Sequence, residues 1–406
     1  MTSPPTNGRL KLVLIIGGLS AFGPLSMDLY LPALPSLTRD LGGSASLVQL
    51  TLTACLLGLA AGQVVAGPLS DALGRRRPLF VGLAAYVLAS FLCALAPSAP
   101  LLVVFRLIQG TAAASGVVIA RAVVRDVYQG SDVARFLALT MLISGLAPIL
   151  APMLGGQLLR LTSWRGAFAV LAAIGLLLLV ASAVGLGETL RPEGRRSGGV
   201  RATLTTFRGL IADRLFVGYA LSSGLAMGAA FTYVSGAPFV LEDIYGLSPQ
   251  VFGLLFGTNA LGILLLGQLG GRLVGRVGSR RLLIAGLGVA SAGGLLLLAA
   301  VSLGLGLAFV LPGFFLVVSS VGLNSPNATA LALADHAHQA GNASALLGLL
   351  YYAVGAVVAP LAGLGGTHTA VPMAVVIVLL NGAAVSTFYV LTRSRPGQAG
   401  PEAVRL

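Results

Sequence analysis

The sequence predicts an all-α membrane protein of twelve transmembrane helices in two pseudo-symmetric six-helix bundles. Three observations predict it. Of 406 residues, 56% are hydrophobic and only 9% are charged, with a mean hydropathy of +0.95; a soluble domain carries about 25% charged residues. The apolar residues fall in runs long enough to cross a bilayer, about 20 residues each. The longest polar stretch, 188–213, divides those runs six and six.

The expected spans are 12–36, 46–69, 78–96, 99–121, 133–159, 166–187, 214–241, 249–271, 281–302, 305–331, 341–365 and 369–392. They define an N-terminal six-helix bundle over 1–187, a cytoplasmic linker over 188–213 and a C-terminal six-helix bundle over 214–406. Charge sets the orientation. With both termini inside, the outer loops hold only Arg39, Arg160 and Arg165, Arg106 falls within a span, and the remaining 21 of 25 basic residues face the cytoplasm. Cytoplasmic loops collect Lys and Arg in this way. The net charge of +13 therefore orients the chain and is not a nucleic-acid surface. Lys11 precedes an apolar run that continues past signal-peptide length, so that run reads as the first span. Usage of 24 Arg against one Lys suits a GC-rich bacterial genome, and the expected location is the bacterial cytoplasmic membrane.

Between the second and third spans lies Gly67-Pro-Leu-Ser-Asp71-Ala-Leu-Gly74-Arg75-Arg76-Arg77. The glycines permit a left-handed turn and close helix approach. Asp71 can pair with a base or face a helix N-terminus across a mobile interface. A plain cytoplasmic anchor would need only the bases. Six spans later, Gly267-Gln-Leu-Gly-Gly-Arg-Leu-Val-Gly-Arg-Val-Gly-Ser-Arg-Arg repeats the glycine-rich, arginine-rich pattern without an acid. Parallel six-span halves are a known transporter architecture.

Two charges fall inside spans. Asp28 lies in Ser-Met-Asp-Leu-Tyr-Leu-Pro of the first. A carboxylate there should face the interior, pair, or bind a proton; the competing reading is a helix-end acid, since Pro32 and Pro35 follow. Arg106 lies in the fourth and stays charged. It can hold a carboxylate or stabilise a helix end, while the small residues Gly110 to Gly116 after it allow close helix packing. In the fifth span, Gly145, Pro148, Pro152, Gly155 and Gly156 predict a kinked, closely packed helix, either a conformational pivot or a static kink. The second half is sparse in polar groups: Tyr233, Ser235, Asn259, Gln268, Asn324, Asn327, Asn342, Ser344 and Asn381 lie within or at the ends of its spans. Met27, Tyr30, Phe231, Tyr233 and Asn259 are the candidates for a substrate cavity. Phe231, Tyr233 and Phe239 offer aromatic surface, though such residues at helical spacing usually pack.

Little else suggests chemistry. Cys55 and Cys93 both lie in apolar runs and give no disulfide framework. His336 and His338 beside Asp335 lack a third metal ligand, so they read as a solvated loop and no metal site is expected. Phosphate loops, zinc signatures and nucleophile elbows are absent, and Asn327-Ala-Thr329, a glycosylation pattern, falls in or beside a span.

Together these pieces resemble the major facilitator superfamily, and within it the drug–proton antiporters of the Bcr/CflA type. The resemblance covers nearly the whole chain. The loop from Gly67 to Arg77 matches the superfamily's loop between spans two and three. Arg106-Leu-Ile-Gln109-Gly110 matches a fourth-span motif linked in the family to proton transfer. Gly145 to Gly156 resembles the fifth-span antiporter motif, with Ala151-Pro152 where many relatives have Gly-Pro. Met27-Asp28-Leu29-Tyr30-Leu31-Pro32-Ala33-Leu34-Pro35 is similar to the subfamily's first-span signature. Tyr233-Val-Ser-Gly-Ala-Pro238-Phe with Tyr245-Gly-Leu-Ser-Pro249-Gln-Val-Phe252 looks like its seventh-span signature. The single first-span acid departs from relatives that carry two.

The resemblance implies the major facilitator fold and proton-driven export of a small amphipathic drug or antibiotic, with phenicol- or bicyclomycin-like compounds first, by a non-enzymatic carrier acting as a monomer. Its partners are the drug or metabolite, protons and membrane lipid; it needs no cofactor beyond the proton gradient. Asp28 and Arg106 would couple protons, and Gly67, Asp71, Gly74, Arg75 and Arg76 would form the inner gate. The nearer alternative is an exporter or proton symporter of a sugar, amino acid or polyamine on the same fold. A sugar carrier would want more Asn, Gln, Trp and acidic groups, and the chain has one Trp, Trp164. A non-transporting sensor is the remote alternative, with no soluble domain to support it.

Overall fold

The protein is described by a computed structural model that covers residues 6–128, 131–190, 199–336, 339–366 and 368–393. No strand occurs among the described residues. The chain runs α1 (Thr6–Asp28), α2 (Leu34–Leu41), α3 (Ala45–Leu73), α4 (Arg76–Ala94), α5 (Ala99–Val127), α6 (Ser131–Leu158), α7 (Trp164–Gly185), α8 (Gly199–Ala212), α9 (Arg214–Pro238), α10 (Pro249–Val277), α11 (Ser279–Ser302), α12 (Leu307–Ser319), α13 (Val321–Leu333), α14 (Ala340–Val358) and α15 (Val371–Leu391). Eleven described segments are long and apolar enough to cross a membrane, and Gly145–Leu158 of α6 is a shorter apolar helix. Helices are the expected solution because each closes its own backbone hydrogen bonds in a medium that offers none. Leu14, Val81, Leu88, Leu177 and Leu379 on the outside are exposed, as a lipid-facing surface requires.

The repeat between halves is physical. α3 and α10 each hold 29 residues and each begins at a serine, Ser44 or Ser248, whose hydroxyl accepts from the backbone N–H three residues on. Each ends on a left-handed glycine, Gly74 (φ 88°) or Gly278 (φ 82°). Serine caps the start because it satisfies an orphan N–H, and glycine takes the turn because it has no Cβ to clash. The inner pairs repeat as well. A Cβ on Gly110 of α5 would strike the Cys55 carbonyl of α3, and one on Gly322 of α13 would strike the Ile263 carbonyl of α10. Backbone therefore meets backbone, the closest packing that small residues allow in a bilayer.

Several expected elements differ. The first span is not one helix to residue 36. It stops at Asp28, makes a 3-10 turn over Leu31–Ala33 and restarts as α2, because Pro32 and Pro35 lack the N–H groups that would continue it. The seventh span ends in a π-helical stretch, Phe239–Ile244, and the eleventh in a 3-10 stretch, Ala359–Gly365. The tenth is interrupted at Ser320, whose hydroxyl donates back to Val317 O at 2.7 Å. The polar linker carries α8, an element the hydropathy reading missed; Phe207 and Leu210 bury against Phe216, Leu346 and Leu347. His336 is also not solvated. It donates to Asp213 at 2.8 Å and meets Phe216 edge-on. Burial alone would raise Asp213, but the bonds from His336 and from the backbone of Leu215 and Phe216 outweigh it and hold the carboxyl below its ordinary range. His338 lies outside the described residues.

Replacing Gly110 with valine forces α3 and α5 apart and is expected to cost about 1–3 kcal/mol, read as a lower midpoint of thermal unfolding in detergent. Gly288→Val, where an added side chain meets open space, should leave that midpoint in place.

Candidate functional site

Inside the N-terminal half, a few polar side chains on apolar helices collect around one guanidinium. Arg106 is fully buried. Its Nη1 donates to Ser26 O of α1 at 2.9 Å and to Gln109 Oε1 at 2.5 Å, and its Nε reaches Thr51 O of α3 at 3.4 Å. Gln109 in turn donates to Ser90 Oγ of α4 at 2.7 Å. The Tyr30 ring lies 4.5 Å and the Phe168 ring of α7 5.6 Å from the guanidinium carbon. Tyr30 OH and Thr51 Oγ1 share a 2.9 Å hydrogen bond, and Ser26 Oγ shares one of 2.7 Å with Tyr86 OH. A charge that cannot leave the membrane interior is thus held by carbonyl oxygens, an amide and two aromatic faces. Its Nη2 is buried with no acceptor among the described residues.

Asp28 sits two residues beyond Ser26, at the last turn of α1, and is 7% exposed. The direct Asp28–Arg106 pair that sequence reasoning allowed is not formed; among the described residues the carboxylate makes no hydrogen bond or ion pair. Arg106 instead holds the end of α1 through Ser26 O. Asp28 still lies within electrostatic range of Arg106 and, across the divide between halves, of Tyr233.

The cavity candidates separate into two groups. Tyr30 is sealed against Arg106, so it does not line an open space here. Tyr233 is fully buried, accepts from Asn259 Nδ2 at 2.8 Å and packs on Phe256 and Phe314; this pair too is closed within its own half. Met27 is 6% exposed. Phe231 is half-buried, with its ring 6.3 Å from that of Tyr352 on α14.

The two halves meet closely at the end away from the arginine-rich loops. Gln49 Nε2 donates to Ser235 O at 3.0 Å, Thr53 Oγ1 to Ala356 O at 2.8 Å and Gln250 Nε2 to Gly156 O at 2.7 Å. Arg39 and Asp243 pair there at 3.1 Å. α6 is the close-packed element at this seam: a Cβ on Gly155 would strike Leu29 O, one on Gly156 would lie 2.5 Å from Pro249 O, and one on Gly253 2.5 Å from Pro152 O. Gly145 packs more loosely, against Leu264. Pro148 and Pro152 leave their turns without N–H donors.

At the opposite end, Arg75 organises the loop. Its Nε and Nη2 donate to Asp126 of α5 at 2.8 and 3.3 Å, its Nη1 to Ser70 Oγ at 2.9 Å, and it pairs with Asp71. Burial alone would lower the guanidinium, but the bonds to Asp126 and Asp71 outweigh it and push it further up. Glu188 accepts from the backbone N–H groups of Arg75 at 2.8 Å and Arg76 at 3.2 Å. Of the two contacts open to Asp71, the structure forms the pair with a base: its partner is Arg75, in its own half. Asp126 and Glu188 were missed, because acids at span ends carry no weight in an orientation count made on bases. A signal existed in Glu188, the first charge after the sixth span.

A family model described as "Major Facilitator Superfamily" matches residues 15–360. The chain is 42% identical to the "Uncharacterized MFS-type transporter YdgK" of Bacillus subtilis, over 98% of this chain and 99% of that one. It is 29% identical to a "Bicyclomycin resistance protein homolog" of Haemophilus influenzae, over 94% and 96%, and 35% identical to a "Chloramphenicol resistance protein" of Pseudomonas aeruginosa, over 70% and 67%. Among solved structures it resembles a bacterial homologue of the lysosomal transporter Spinster (TM-score 0.75, 15% identity, 97% and 98% covered) and the xylose transporter XylE of Escherichia coli (TM-score 0.74, 13% identity, 97% and 100% covered).

The side chain of Asp126 is 15% exposed and that of Asp71 is 51% exposed, so the two partners of Arg75 should differ in weight. Asp126→Ala is expected to cost about 1–2 kcal/mol and Asp71→Ala less than about 1 kcal/mol, compared as thermal midpoints of the purified protein. Arg106→Lys, which keeps the charge but not the planar fork, should cost on the order of 2–3 kcal/mol in the same measurement.

Proposed function

The chain belongs to the Major Facilitator Superfamily, and from that premise we propose that it exports a small amphipathic drug or antibiotic across the bacterial cytoplasmic membrane in exchange for protons. The observation that carries the reading is Asp28: an acid within a span, nearly enclosed, between the halves, with no base fixed to it among the described residues. An ion pair would lock such a group in one state, whereas an unpaired carboxyl is free to exchange a proton. The names of the bicyclomycin and chloramphenicol resistance relatives support the substrate class.

In the proposed cycle both termini are cytoplasmic and the seam at Arg39 and Asp243 is the outer seal. Facing inward, Asp28 is ionised and turns toward the unused Nη2 of Arg106 while the drug is bound. After reorientation a proton from outside neutralises Asp28 and the drug leaves. The neutral acid then costs less to bury on the return. Arg106 keeps its carbonyl cage throughout, so its part is to position the end of α1. The Arg75 loop, clamped by Asp126 and Glu188, keeps α3, α5 and the start of the linker together as the inner gate moves. The carrier works as a monomer in lipid, without cofactor or enzymatic chemistry.

In an efflux-deficient bacterial host, the chain should raise tolerance to phenicols or bicyclomycin, and Asp28→Asn at equal membrane expression should abolish that protection. Full protection by Asp28→Asn would overturn the mechanism. Protection against none of these compounds would favour a metabolite carrier on the same fold.

A further inference from the structure

A groove of about 550 Å³ runs between α4 and α7. The two helices touch on their buried side, where a Cβ on Gly175 would lie 2.9 Å from the Tyr86 ring. On the other side Ala84, Ala172 and Ala173 are too short to fill the gap. Leu88, Phe91 and Leu176 border it, and each is more than half exposed. The groove therefore opens toward the bilayer, and the contact at Gly175 closes it toward the interior of the half.

A base stands at the head of this groove. Arg165 lies on α7 seven residues before Ala172, eleven before Leu176 and fourteen before Leu179. Those steps are about two, three and four helical turns, so the four residues share one face. Arg165 Nη1 reaches to the end of α4 and donates to Ala94 O and Ala96 O, both at 2.9 Å. The guanidinium carbon lies 4.3 Å from the centre of the Trp164 ring. These contacts pin the guanidinium across the α4–α7 gap. Its Nε and Nη2 have no acceptor among the described residues. Asp40, bonded to Trp164 Nε1 at 2.9 Å, does not pair with it. Nε and Nη2 are the same edge that Arg75 presents to Asp126. That planar fork matches a carboxylate or phosphate bidentately.

The dimensions suit one lipid. Arg165 and Leu179 stand roughly 21 Å apart along α7, and one leaflet with its headgroups is about 20–22 Å thick. We infer that the α4–α7 groove is a binding site for one phospholipid molecule, its phosphate on the Nε–Nη2 edge of Arg165 and an acyl chain in the groove. A second copy of the chain fits the observations less well. A twofold axis along the membrane normal would bring two Arg165 residues to the same depth, like charge toward like charge.

Lipid binding to the full chain, purified free of lipid in a neutral detergent, tests it. Intact-mass measurement counts the bound molecules during titration with dioleoylphosphatidylglycerol or with dioleoylglycerol, which has the same chains and no phosphate. The wild-type protein should take up one phosphatidylglycerol roughly tenfold more tightly than the diacylglycerol. Arg165→Gln should bring that ratio to about one. Ala173→Trp, which fills the groove and leaves the carbonyl bonds of Arg165 in place, should remove the tight site. A wild-type protein with no preference for the phosphate overturns the inference. So does an Ala173→Trp variant that keeps one lipid at wild-type affinity, since the lipid then sits elsewhere. A wild-type dimer that Ala173→Trp dissociates would also overturn it and assign the groove to a second copy. The Ala173→Trp result decides the matter even where Arg165→Gln fails to fold. None of these readings depends on the export proposal.

Discussion

A guanidinium that cannot reach water is the constraint around which the N-terminal half is built. Arg106 is bonded to no acid among the described residues, so the fold supplies oxygen dipoles and aromatic faces from its neighbours: Ser26 O from α1, Thr51 O from α3, Gln109 braced by Ser90 of α4, Tyr30 beyond α1, and Phe168 from α7. Five helices thereby converge on one charge. Removing any one of the oxygen partners would leave a buried donor unsatisfied, at the desolvation cost that makes such networks rigid. Asp28 begins where the cage ends, at the turn forced by Pro32, close enough to feel the fixed charge and free of a bond to it.

The opposite end of the half follows the same logic with acids present. Arg75 is buried at the mouth of a glycine turn and is held by Asp126 from α5 and Asp71 from α3, while Glu188 caps the backbone of the next helix. These contacts tie the loop to helices of its own half. Between the halves, carbonyl-to-side-chain bonds and glycine contacts gather at the Arg39–Asp243 seam.

Much of this was legible in the sequence for simple reasons. Spans are written as runs of apolar residues because lipid tolerates nothing else, and the placement of arginines in short loops records orientation. Asp28 and Arg106 stood out because a charge in an apolar run is expensive wherever it occurs. What surrounds Arg106 was not legible. Two of its partners are backbone carbonyls, Ser26 O and Thr51 O, which every residue type carries. Tyr233 and Asn259 looked like cavity groups because residue type does not say which face of α9 or α10 is sealed. The pairing of Asp213 with His336 joins residues 123 apart in two loops, and only the packing of α8 under α14 brings them together.

The central claim is that substrate binding and proton loss meet at Asp28. Proton release on substrate addition, read with a soluble pH indicator on the purified protein in weakly buffered detergent, tests it most directly. The account predicts about one proton released per substrate bound by the wild-type protein near neutral pH and none by Asp28→Asn. Undiminished release from Asp28→Asn, or substrate binding by the wild-type protein with no release at any pH, would contradict it.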